Sequence, residues 1–159
     1  MLKQAEGIVI RTRDYGEGHA IVTLFTREQG KMAVVARGVK KTRSRLASLC
    51  QPFTHGQFLF FQTSGLPSLS QGEVIQAFQG IGRDLLSTAY AGYITELVDR
   101  LTGEREPHPG LFAQYLLSLQ AIENGADCQI IARIMEMKLL MAAGYTPQLT
   151  HCSKCRAGE

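Results

Sequence analysis

No stretch of the 159 residues approaches the roughly 18 consecutive apolar positions of a membrane helix. Near the N-terminus the apolar run is only Ile8-Val9-Ile10 before charge returns, so a secretory leader's continuous apolar core is missing. The expectation is a cytoplasmic protein with no membrane partner. Catalytic signatures are missing as well. There is no GxxxxGK(S/T), no GxGxxG after a strand and no HExxH. The histidines His19, His55, His108 and His151 are scattered without a nearby nucleophile, and Glu17 beside His19 reads as a turn carboxylate that pins its loop or caps an amide. Nothing here argues for an enzyme. Cysteine is scarce: Cys50, Cys128, Cys152 and Cys155, with one CxxC and no second. In a cytoplasmic chain that pair points to metal or redox chemistry before structural disulfides.

What is present is an ordinary globular balance, 45% apolar and 19% charged, which excludes a disordered or low-complexity chain. The net charge of +3 conceals an asymmetry. Residues 1–80 hold ten Lys/Arg against five Asp/Glu, whereas residues 81–159 hold seven against nine. The basic character belongs to the first half, as expected for a partner carrying phosphates.

Residues 5–13 are rich in β-branched side chains and alternate from Ile8, which predicts a strand with Ile8, Ile10 and Thr12 on one face and Val9, Arg11 and Arg13 on the other. Residues 20–26 and 31–37 are two further strands, parted by turn residues, and make a meander with the first. Residues 57–63 and 69–78 supply two more, separated by Ser64-Gly65-Leu66-Pro67. Five short strands split three and two by a connecting segment fit a barrel of the OB type, although an SH3-like barrel shares that periodicity. After Gly82 the period changes, and helices are predicted over 84–101, 109–124 and 127–143. The third should turn Ile130, Ile131, Ile134, Met137, Leu140 and Met141 inward. The fold class is therefore α+β: residues 1–80 an OB-fold barrel, residues 81–159 a helical domain ending in a partial zinc knuckle.

The strongest chemical feature is the connection Arg37-Gly38-Val39-Lys40-Lys41-Thr42-Arg43-Ser44-Arg45, with five cations in nine residues. Lys and Arg hold phosphate backbones, and counterion release drives the binding. Such a run is also what a solvated loop looks like, but Lys3, Arg11, Arg13 and Lys31 on neighbouring strands favour a nucleic-acid surface. Rings for base stacking are available among Tyr15, Phe25, Phe53, Phe58, Phe60 and Phe61, most of which must be core. Cys152-Ser153-Lys154-Cys155 has the knuckle spacing that lets two thiolates reach one zinc, which is half a tetrahedral site. Either further ligands lie beyond this sequence, or His151 and a distant cysteine complete the set, or the pair is reduced and idle. Cys50 and Cys128 read as buried small hydrophobes.

Three stretches taken together, Gly7–Glu17, Thr23–Lys31 and Val35–Arg45, with residues 49–53, Ala143-Gly144-Tyr145-Thr146-Pro147 and the Cys152–Cys155 knuckle, resemble the RecO family of bacterial recombination mediators. The resemblance implies an OB-fold followed by a helical bundle that carries a zinc ribbon. It implies binding to single- and double-stranded DNA, annealing of complementary strands without ATP, and a nucleoid-associated location in the cytoplasm. It also implies two protein partners, RecR and the acidic, apolar tail of single-stranded DNA-binding protein, in the pathway that loads RecA. Arg133 and Lys138 on the third helix would be the cations rimming a groove for such a tail. Family members run past this length, so the remaining helices and the second zinc pair are expected beyond residue 159. Two other readings of the same residues stay open: an RNA-binding OB module and a non-catalytic protein-interaction adaptor.

Overall fold

The computed structural model of the chain describes residues 1–158. Five strands come first, β1 (Leu2–Tyr15), β2 (His19–Thr26), β3 (Gly30–Ala36), β4 (His55–Phe61) and β5 (Ser68–Gln76). A single 3-10 turn and three helices follow, α1 (Leu85–Leu101), α2 (Pro109–Glu123) and α3 (Cys128–Ala142). The strands close in the order β1-β2-β3-β5-β4, and β1 pairs with β4 to complete the ring. Every pairing is antiparallel except β3 with β5, where Val35 meets Ser68 and Ala36 meets Leu69. This is the five-stranded OB arrangement expected from the sequence. Among the described residues no helix is long and apolar enough to cross a membrane.

The barrel interior is filled by Val9, Val22, Leu24, Val34, Phe58, Phe60 and Leu69. The connection from β3 to β4 takes part in it. Leu49 and Cys50 are buried in the same core, with Val39 and Leu46 at its margin. The Thr12 hydroxyl donates to the Cys50 carbonyl at 2.8 Å. The connection therefore plugs one end of the barrel with its apolar residues and turns its cations out. Room for the plug comes from Gly72 on β5, where a Cβ would lie 2.5 Å from a Leu49 methyl and 2.4 Å from the Gln57 carbonyl oxygen.

β1 departs from the predicted alternation. Val9 faces Leu24, but Arg11 and not Ile10 faces Thr23, so Ile10 is an extra residue in a β-bulge. Past it the phase inverts. Thr12 faces inward-pointing Val22, while Arg11 and Arg13 share the outer face with Ile8. Of the expected faces, Ile8 and Ile10 do share one, in the core with the helices, whereas Thr12 leaves it and Arg11 and Arg13 join it instead of staying with Val9.

Outside the barrel, Ile8, Ile10 and Phe25 form a second core with residues of all three helices. The Phe25 ring lies 6.0 Å from Phe112 and 6.3 Å from Tyr115. Each fully buried side chain of this size contributes about 1.5–3 kcal/mol. A polar node fastens the same junction. Arg27 donates two hydrogen bonds to Glu6, at 2.9 and 3.2 Å, and lies 4.7 Å over the Phe112 ring. His55 Nε2 approaches the same carboxylate at 2.8 Å. The Arg27 guanidinium, helped by His55, holds the Glu6 carboxyl below the ordinary glutamate range.

The helices start and stop as their sequence directs. Asp84 caps α1 through the Ser87 amide at 2.8 Å and Asp127 caps α3 through the Gln129 amide at 2.9 Å. Pro109 opens α2, and Gly125 follows it at φ +84. The inward face of α3 is a correction. Cys128, Ala132, Met135 and Leu139 are the buried residues and Ile131 packs partly buried against that core as expected, whereas Ile130, Ile134, Leu140 and Met141 are exposed. The buried set steps by four, three and four residues and the outward Ile130, Ile134 and Met141 by four and seven, so both keep the helical period, and the fully buried Ala132 sits on the face packed against α1 and α2.

Candidate nucleic-acid interface

On the outer face of β1, β2 and β3 the β1 margin is exposed at Arg11 and Arg13, while Thr23 and Val35 are buried. Arg13 lies opposite Ile21, which lies opposite Val35; one step down, Arg11, Thr23 and Ala33 form the next row. The floor is made of small or β-branched residues and the β1 margin is cationic. In the OB architecture this face and its adjoining loops hold oligonucleotides.

The basic connection begins at the upper end of that face. Arg37 follows directly on β3 and is exposed. The Gly38 amide donates to His19 Nδ1 at 2.9 Å and the Lys40 amide to the Gly18 carbonyl at 3.3 Å. The Lys40 ammonium pairs with Asp14 at 2.6 Å. These contacts tie the start of the basic run to the β1–β2 turn. Successive tight turns follow, from the Lys41 amide to the Gly38 carbonyl and from the Ser44 amide to the Lys41 carbonyl, with Arg43 at φ +64. Lys41, Arg43 and Arg45 are exposed. Among the described residues, none of these three, nor Arg13 or Arg37, has a carboxylate within 4.0 Å.

The other two strand cations lie elsewhere. Lys31 is drawn under α1, its ammonium 3.5 Å from Asp99 Oδ1 and also hydrogen-bonded to the Asp99 backbone carbonyl. Lys3 sits opposite Phe60 near the start of β1, roughly 30 Å along that strand from Arg13. Arg11 is shared: its guanidinium is 3.3 Å from Asp99 Oδ2, yet half of the side chain is exposed. Phe25, Phe58 and Phe60 are fully buried. Of the stacking candidates, only Tyr15 and Phe61 are broadly exposed, at 52% and 49%.

Where α1 crosses the barrel face, a groove of about 650 Å³ opens between Arg11, Lys31 and Phe53 on the barrel side and Glu96, Asp99 and Arg100 on α1. Sequence reasoning missed Arg100, because it belongs to the half of the chain whose net charge is negative. Only the crossing of α1 over the sheet brings it beside the strand cations.

The knuckle residues Cys152 and Cys155 are both exposed. Amides of Cys155 and Lys154 directed at the Cys152 sulfur hold its thiol below the ordinary range. Two thiolates are half of a tetrahedral zinc set. Among the described residues no group of three or more His, Cys, Asp or Glu comes together to hold a metal, so these residues alone do not fit a closed site. Cys50 and Cys128 are buried, as expected. On α3, Arg133 pairs with Glu136 at 2.6 Å, and Glu136 also accepts from the Tyr93 hydroxyl at 2.6 Å. Lys138 is exposed, and the outward stripe of Ile130, Ile134 and Met141 runs along the same helix.

Two family models match the chain, one described as Recombination protein O N terminal over residues 1–78 and one as Recombination protein O C terminal over residues 82–159. The DNA repair protein RecO of Shouchella clausii (strain KSM-K16) is 54% identical over 157 residues, which cover 99% of this chain and 61% of that protein. The DNA repair protein RecO of Bacillus subtilis (strain 168) is 52% identical over 159 residues, with 100% and 62% covered. That of Listeria monocytogenes serotype 4a (strain HCC23) is 48% identical over 154 residues, with 97% and 60% covered. The chain thus spans about three fifths of the length of the curated relatives it matches.

Proposed function

This chain belongs to the RecO family of DNA repair proteins, and on that premise we propose that it binds single- and double-stranded DNA across the β1–β2–β3 face and the basic connection, without catalysing a reaction. The supporting observation is the set of exposed cations Arg13, Arg37, Lys41, Arg43 and Arg45, all lacking a carboxylate partner among the described residues and all gathered at one end of an OB face. Phosphates of two strands neutralised on one surface repel each other less, so complementary segments pair without ATP. In this reading the annealing activity serves recombinational repair at the nucleoid, by helping RecA onto DNA coated with single-stranded DNA-binding protein. RecR is the second protein partner. The acidic, apolar tail of the single-stranded DNA-binding protein would lie along Ile130, Ile134 and Met141 of α3, with Arg133 and Lys138 meeting its charge. Cys152 and Cys155 would supply two of zinc's four ligands.

The test is fluorescence anisotropy of a labelled single strand across a salt series, with Lys40, Lys41, Arg43 and Arg45 changed together to alanine. Each lost phosphate contact flattens the logarithmic salt slope by about 0.7 on single strands, so the fourfold variant should lose affinity and up to about 3 from the slope. Binding that survives with its slope intact overturns the assignment. Equal affinity for RNA, with no pairing of complementary DNA strands, favours an RNA-binding module instead.

A further inference from the structure

We propose that the groove beneath α1 is a pocket for one unpaired base of a bound single strand. The inference rests on the reading of the β1–β2–β3 face as the DNA surface and says where on that face a base leaves the stack. Arg11 follows Arg13 down the outer face of β1 and lines the groove. A backbone tracking those two cations arrives at the groove mouth.

The lining suits a base. Ile10, Pro52 and Phe53 give the barrel side an apolar wall, and the bulge in β1 brings Arg11 onto the outer side that Ile8 and Ile10 share. Opposite stand two carboxylates, Glu96 paired with Arg100 at 2.8 Å and Asp99 paired with Arg11 and Lys31. Each is matched by a cation, so the groove does not repel DNA as a whole. Each also keeps lone pairs that accept from the amino group of a base, as Asp and Glu do from cytosine. The volume of about 650 Å³ lies within the span of small-molecule pockets and holds a base with space to spare.

Two further features are otherwise unaccounted for. Phe53 carries φ +70, a left-handed backbone that a bulky aromatic seldom adopts, and its amide is pinned to the Val9 carbonyl at 2.9 Å beside the bulge. Backbone strain of this kind gathers at ligand sites. Gly92 of α1 also lines the groove, and a Cβ there would meet nothing within 4 Å. The helix thus leaves open a space that any larger residue would fill.

The experiment compares the affinity of the whole chain for a 20-mer of deoxycytidine with that for a 20-mer of abasic sites carrying the same phosphates. The unaltered chain should prefer the base-bearing strand by about tenfold, the scale of one good stacking contact. Gly92→Leu, which fills the groove and suits a helix better than glycine, should cut that ratio by at least about threefold. Glu96→Leu, at an exposed rim position, should do the same and serves if Gly92→Leu does not fold. Equal binding of both strands by the unaltered chain, or an unchanged ratio in both variants, overturns the pocket and leaves the DNA surface standing. Binding of neither strand at low salt overturns the DNA surface itself, and the pocket with it.

Discussion

The Lys31 ammonium of β3 lies 3.5 Å from Asp99 Oδ1 of α1, with only 12% of the lysine side chain exposed. A cation that the strand pattern assigns to DNA is thereby held in the junction between barrel and helices. Removing the carboxylate strands a mostly buried charge, so Asp99→Ala should cost about 3 kcal/mol in urea unfolding. Arg13→Ala, at an exposed position, should leave the unfolding midpoint in place and weaken DNA binding. Equal unfolding midpoints for Asp99→Ala and the unaltered chain would sink this assignment.

Acid should weaken the junction through Glu6. Its carboxyl is held low in the folded chain, first by Arg27, so its contribution is complete above the ordinary glutamate value of about 4.3 and is lost as the pH falls through the lowered, folded value. Unfolding free energies measured from pH 7 down to pH 3 should show Glu6→Gln less stable than the unaltered chain at neutral pH, with the two converging in acid. A gap that stays constant with pH would contradict the role of this carboxylate.

The cysteines should label in a fixed order. Burial pushes the Cys50 thiol up to about 11, while the amides at the knuckle turn lower that of exposed Cys152. Iodoacetamide at pH 7 should modify Cys152 within a time that leaves Cys50 untouched, and Cys50 should react only after denaturant is added. Mass mapping of the alkylated peptides decides the matter.

Gly72→Ala should destabilise the barrel by about 2 kcal/mol, because the added methyl meets both the Gln57 carbonyl and the Leu49 side chain. Since Leu49 anchors the basic connection, the amides of residues 40–45 should lose protection from hydrogen exchange in the same variant. Unchanged protection there would separate the plug from the loop.

The elements with strong local signals were legible in the sequence. Alternation marked the strands, and the change of period after Gly82 marked the helices. The basic connection announced itself by charge density. What was hidden depended on partners distant along the chain. Lys31 reads as a surface cation until Asp99, 68 residues away, is placed beside it. The bulge at Ile10 leaves no trace in a run of β-branched residues, because isoleucine suits either face. On α3 the two apolar stripes have the same period, so helical spacing could not say that Ala132 and Met135, and not Ile130 and Ile134, lie inside. The groove under α1 was out of reach for the same reason, since its two sides are separate stretches of chain.

The extra residue in β1 has a bearing on which mutations the chain can absorb. Replacing Ile10 by another apolar residue alters one contact, whereas deleting it would let Arg11–Thr23 follow Val9–Leu24 directly, so that Arg11, Thr12 and Arg13 keep their faces and only the isoleucine packed in the core with the helices is lost. The register of this stretch survives the loss of a residue; the junction with the helices is what would register the change.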